Sequence, residues 1–158
     1  MSVEQKLKEL GIELPPAPKP IGTYVGGVQV GNLLFMSGCG PRHADGSMIV
    51  GRLGAGMTTE QGYAAARLVG MNMLANVRAT LGSLDRVERV VKVLGMVNCT
   101  PEFGEQPKVI NGFSDLLVEV FGAECGRAAR SAVGMGGLPG GIAVEVEMIV
   151  QVRDADRP

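Results

Sequence analysis

The segment from Val144 to Val152 constrains the fold more than any other stretch of the chain. Val144, Val146, Met148, Val150 and Val152 alternate with Glu145, Glu147, Ile149 and Gln151. Period-two alternation puts the first set on one side of a β-strand and the second on the other. The valine side has to be covered by an apolar layer. The glutamate side has to meet a partner subunit, a cleft or water, because carboxylates are not buried without compensation. Just upstream, an arginine heads a short apolar run, RSAV from Arg130, and the glycine-rich break GMGGLPGG joins the two segments. The expectation is that they pair as neighbouring strands, with Arg130 and Glu145 as charged residues on otherwise apolar elements. A guanidinium fork that grips a carboxylate and a glutamate that handles a proton would form a small catalytic kit.

The remaining pattern supplies the other layer. Thr58 or Thr59 caps a long helix whose Ala64, Leu68, Met71, Ala75 and Leu81 recur at helical spacing, and Gly82 ends it. Pro107 starts a second helix carrying Val109, Phe113, Leu116, Leu117 and Val120, closed by Gly122. Strands are predicted over Tyr24–Val30, Leu33–Ser37, Met48–Val50 and Val87–Val97. The order is β-β-β-α-β-α-β-β, with about six strands. Both helices have a single apolar face, so both can lie on one side of a mixed sheet in an α+β two-layer domain. Ahead of this, Ser2 and Gln5 form a capping box for a short helix. Pro15, Pro16, Pro18 and Pro20 then make an extended arm.

Bulk properties narrow the function. A chain of 158 residues is one domain. Fifteen basic and sixteen acidic side chains give a net charge of -1, which leaves no footprint for nucleic acid. Cys39, Cys99 and Cys125 form no CxxC pair, so neither a disulfide framework nor a zinc site is expected. The first residues, MSVEQKLKELGIELPP, do not read as a signal peptide, and no apolar run approaches the ~20 residues of a membrane span. A soluble, cytoplasmic protein is expected. Two tyrosines, four phenylalanines and no tryptophan leave the core to aliphatic and methionine packing. A small domain built this way gains buried area by oligomerising.

Three stretches, IGTYVGGVQVGNLLFMSGCGP, KVINGFSDLLVEVFG and RSAVGMGGLPGGIAVEVEMIV, resemble the RidA/YjgF family from about Ile21 onward. The helix and proline arm over 1–20 look like those of a longer branch, leaving 21–158 as a single RidA-like domain. The resemblance implies a mixed six-stranded, chorismate-mutase-like sheet with two helices on one face. It also implies a homotrimer with ligand clefts between subunits. Archetypal members hydrolyse reactive enamines and imines of small carboxylates, such as 2-aminoacrylate, to 2-oxo acids and ammonia, without a cofactor or metal. By this resemblance Arg130 binds the substrate carboxylate and Glu145 places the attacking water. Tyr24, Ser37 and Asn111 line the same cleft. One departure stands out: archetypal members carry a cysteine two residues after the arginine, where this chain has Ala132, and Gly134 and Met135 also differ. Carboxylate binding is expected to survive, with a shifted substrate preference.

Other readings stay open. Arg130 could pair across strands with Glu145 or Glu147 as a structural salt bridge. The cleft could serve a non-catalytic, trimeric carboxylate-binding protein. Some family members carry an endoribonuclease L-PSP label, but His43 is the single histidine and stacking aromatics are few. Cys39, beside two glycines, reads first as a buried or turn thiol.

Overall fold

The computed structural model describes residues 1–153, so the last five residues of the expected 21–158 domain lie outside it. Its elements are α1 (Val3–Glu9), β1 (Gly27–Val30), β2 (Leu33–Cys39), α2 (Thr59–Leu81), β3 (Val87–Asn98), α3 (Gln106–Gly126), β4 (Ala129–Met135) and β5 (Val144–Val152). Local signals set the helix ends. Thr58 caps α2 through a capping box with Gln61, and Gly82 closes it in the left-handed conformation. Gly122 interrupts α3 at φ 82°, so its helical geometry breaks where a stop is expected. Ser2 and Gln5 cap α1 reciprocally.

The strands form one mixed sheet in the order β1-β2-β5-β3-β4. This corrects two expectations. β5 does not neighbour β4: it lies antiparallel between β2 and β3, while β4 pairs parallel with β3. The reason is topological. α3 carries the chain back so that β4 runs parallel to β3, as a crossover allows. The eight residues Gly136–Ala143 then step past the end of β3 in place of a hairpin turn. The second correction concerns strand number, which is five among the described residues. Met48–Val50 makes only isolated bridges, Arg42 with Met48 and Val50 with Ile142. Gly46 and Gly51, both at positive φ, bracket that segment too closely for a ladder to grow.

The valine side of β5 is buried as the alternation requires. α2 and α3 cover it, and Phe113, Leu34, Met73, Leu74, Ile110 and Leu116 fill the space between. Glycines let the two helices approach closely. Side chains of Val109 and Leu116 occupy the space beside Gly62 and Gly70, and a Cβ at Gly112 would run into the Tyr63 carbonyl. Close backbone approach thus replaces the aromatic bulk the chain lacks.

Among the described residues, no element forms a layer over the opposite sheet face. Register aligns Val28, Phe35, Ile149 and Lys92 in one row, Glu147, Leu94 and Ser131 in the next, and Glu145, Met96 and Val133 in a third. Val30 is 65% exposed and Phe35 43%. α1 is anchored at the far end of α2: Leu7 is buried, Glu4 pairs with Arg78 at 3.4 Å, and the Val3 amide donates to Asp85 at 2.6 Å. From there the proline arm runs back along the molecule.

Candidate functional site

Tyr24, Ser37 and Glu145 converge on one groove of about 910 Å³, within the range of small-molecule sites. The sheet shapes it. Between the Met36–Met148 and Cys39–Val146 pairs, β2 carries one extra residue, a bulge at Ser37–Gly38. Bulges re-aim side chains and recur beside binding sites. Here Gly38 faces Glu145, and a Cβ at this position would overlap the Glu145 carboxylate. Only glycine leaves that carboxylate its place.

The groups in the groove keep hydrogen-bonding capacity for a ligand. Ser37 donates its hydroxyl to the Val25 carbonyl at 2.6 Å, which fixes its oxygen as an acceptor. The Tyr24 phenol accepts weakly from the Ile21 amide at 3.4 Å and keeps its own proton to donate. Glu145 makes no hydrogen bond and no ion pair with any described residue. Burial, and then the nearby charge of Glu147, hold its carboxyl above the usual carboxylate range. A carboxylate that is poorly solvated and unpaired is a competent proton acceptor. Cys39, beneath the groove, is inert. Burial first, and the Glu145 charge second, push its thiol up to about 12.

Arg130 and Asn111 meet elsewhere. Arg130 stands opposite Val93, a buried residue of the helix side, whereas Glu145 stands opposite Met96 on the open side. The two charges therefore project from opposite faces of the sheet, and β3 separates their strands. A cross-strand salt bridge between Arg130 and Glu145 or Glu147 is excluded within one chain. Instead the guanidinium lies along α3, donating to Asn111 Oδ1 at 2.9 Å, Ser114 Oγ at 3.1 Å and the Pro107 carbonyl at 3.4 Å. All three partners are neutral, and no carboxylate among the described residues pairs with it. They hold the fork in place and leave its charge uncompensated.

Sequence reading missed Ser114, although its spacing from Asn111 puts both on one helical face. Gly38 carried no signal, because its role depends on a strand more than a hundred residues away. Ala132 sits against Gly95, on the same side as Arg130. Among the described residues, no group of three or more His, Cys, Asp or Glu is placed to hold a metal. No described helix is long and apolar enough to cross a membrane.

The family model described as "YjgF/chorismate mutase-like, putative endoribonuclease" matches residues 4–141. The chain belongs to the RidA/YjgF family. Protein TCP17 of Trypanosoma cruzi is 46% identical over 152 residues, covering 96% of this chain and 95% of that one. A protein of Dermatophagoides farinae named 2-iminobutanoate/2-iminopropanoate deaminase is 32% identical over 142 residues, with 89% and 94% coverage. The crystal structure of a Shewanella oneidensis protein described as a "putative endoribonuclease" superposes with a TM-score of 0.90 at 32% identity, covering 96% of this chain and all of that one.

Proposed function

We propose that this RidA-family chain hydrolyses 2-imino and 2-enamino acids to 2-oxo acids and ammonia, at a site shared between subunits of a homotrimer. The observation that carries this reading is the state of Arg130: a guanidinium oriented by neutral groups and paired with no described carboxylate. Such a fork is ready to take a carboxylate in bidentate fashion. Glu145 supplies the complementary part, a carboxyl raised by burial in an open groove. Because the two lie on opposite faces, Arg130 of one subunit serves Glu145 of its neighbour. Docking of the exposed Val28, Val30 and Phe35 face against a second copy would bring such halves together. The name of the Dermatophagoides relative agrees with this chemistry.

The reaction needs orientation more than force. Arg130 fixes the substrate carboxylate and hence the adjacent imine carbon. Glu145 accepts a proton from water as its oxygen bonds to that carbon, giving a carbinolamine. For the protonated imine, that proton then passes from Glu145 to nitrogen, the C–N bond breaks, ammonia leaves, and Glu145 takes the hydroxyl proton as the carbonyl forms. Asn111 and Ser114 steady the guanidinium. Tyr24 and Ser37 line the wall nearest the attacking water.

The test adds purified protein to an imine-generating dehydratase or amino-acid oxidase and follows 2-oxo acid and ammonia. Faster release than buffer is expected. Saturable binding of a 2-oxo acid with no acceleration of any imine would favour instead a non-catalytic carboxylate-binding trimer, the reading to which Ala132 lends weight. The glycine of the bulge supplies a sharper probe. Gly38→Ala should displace the Glu145 carboxylate and lower kcat/KM by roughly tenfold to a hundredfold, since a misplacement of about 1 Å can cost that much. Thermal unfolding checks that the fold survives. Wild-type kinetics in a folded Gly38→Ala protein would remove Glu145 from the site.

A further inference from the structure

The groove that holds Glu145 also holds a cation of its own. Arg42 lines it together with Tyr24, Ser37 and Glu145, and it also borders the depression under the proline arm, beside Lys19. Its backbone is pinned: the carbonyl accepts from buried Asn72 at 2.8 Å, and the amide donates to Gly40 at 3.1 Å. Its head is not. The guanidinium lies over the turn at Gly46, where a Cβ would sit 3.4 Å from Nη2, and it makes no side-chain hydrogen bond or ion pair with any described residue. Nor does it neutralise Glu145, whose carboxyl is shifted by burial and Glu147 alone. Arg42 and Glu145 both line this groove of about 910 Å³.

We propose that Arg42, assisted by Lys19, binds a second acidic group, so that the site takes imines of dicarboxylic 2-oxo acids. This rests on the hydrolase reading for its reactive end. Arg130 of the neighbouring subunit holds the carboxylate next to the imine carbon, and Glu145 activates water. Met48 and Ile142 contact the one or two methylenes of the tail, and the distal carboxylate lands on the Arg42 fork. The distal carboxylate is unchanged by the reaction: water adds at the imine carbon, the C–N bond breaks and nitrogen leaves as ammonia. The proline arm thereby acquires a task, since it brings Lys19 to a depression that shares Tyr24, Ser37, Arg42 and Met48 with the groove.

The full chain tests this in two arms. Calorimetry compares 2-oxoglutarate with 2-oxobutyrate as ligands, and kinetics compares 2-iminoglutarate with 2-iminobutanoate generated in situ by amino-acid oxidases. The dicarboxylate should be preferred in both. Arg42→Ala should lower the dicarboxylate-to-monocarboxylate ratio of kcat/KM and of affinity by about tenfold or more. Arg42→Lys should recover part of it, and Lys19→Ala should lower it by about threefold, as expected for an exposed charge. A wild-type protein that binds both ligands equally, or an Arg42→Ala ratio equal to wild type, overturns the proposal whatever the rate of hydrolysis. A wild-type protein that prefers 2-oxoglutarate through Arg42 but accelerates neither imine keeps the second-carboxylate site and sinks the hydrolase reading.

Discussion

Arg130→Ala should abolish most imine hydrolysis, lowering kcat/KM by roughly a hundredfold to a thousandfold, the effect of ~3–4 kcal/mol of lost carboxylate binding. The magnitude follows from what the guanidinium does in the free protein. It satisfies no carboxylate among the described residues, so its charge remains available for substrate. Its removal should cost little stability. Asn111 and Ser114 lie at a partly open position and can turn to water once the fork is gone. Arg130→Lys should recover only a fraction, because an ammonium is a point charge and cannot reproduce two parallel donors. Steady-state kinetics with an in situ imine source, alongside a thermal melt, decides the matter. A folded Arg130→Ala protein with wild-type kcat/KM would end the proposal.

Glu145→Gln should also disable the reaction, by about a hundredfold to ten-thousandfold in kcat, the usual yield of positioned acid–base catalysis. Stability should move the other way. The folded carboxyl is held above its ordinary range by burial and by Glu147. Its protonated form is therefore favoured by the fold. The group contributes stability that is fully present below the unfolded-state pKa and lost as pH rises through the folded one. At neutral pH the wild type carries a poorly solvated charge that glutamine lacks, so the variant should unfold at a higher denaturant concentration near pH 7. That gain should vanish in acid. Activity should fall as pH drops through the raised Glu145 value, so its acid limb lies above the range of an ordinary glutamate. A Glu145→Gln protein that is both inactive and no more stable at neutral pH would mean that burial is not what raises this carboxyl.

Legibility in the sequence divided along the line between local and distant interactions. Capping residues are read by neighbours three positions away, and so Ser2 with Gln5, Thr58 with its helix, and Gly82 mark real ends, while Gly122 marks a break inside α3, which runs on to Gly126. The two-sided character of β5 was equally plain, because alternation is intrinsic to the strand. Strand order was not. Alternation states which face a residue takes and is silent about which strand lies beside it, so the nearness of the RSAV run to β5 in the chain points to the wrong partner, and the run pairs with β3. The site inherited that error. Arg130 and Glu145 looked adjacent in the chain's last third, yet register sends their side chains to opposite sides of the sheet. Tyr24, Ser37 and Glu145 do meet, though only through a bulge whose glycine gave no local sign.

The two-sided placement of Arg130 and Glu145 has an evolutionary corollary. The surroundings of the guanidinium (Ala132, Asn111, Ser114) belong to one edge of the molecule. Those of the carboxylate (Tyr24, Arg42, Met48) belong to the other, beside the arm. Selection can retune either half without disturbing its counterpart, since no side chain serves both. A change in the arm could therefore alter what the carboxylate half accepts, while the grip of Arg130 on the reacting end stayed as it was.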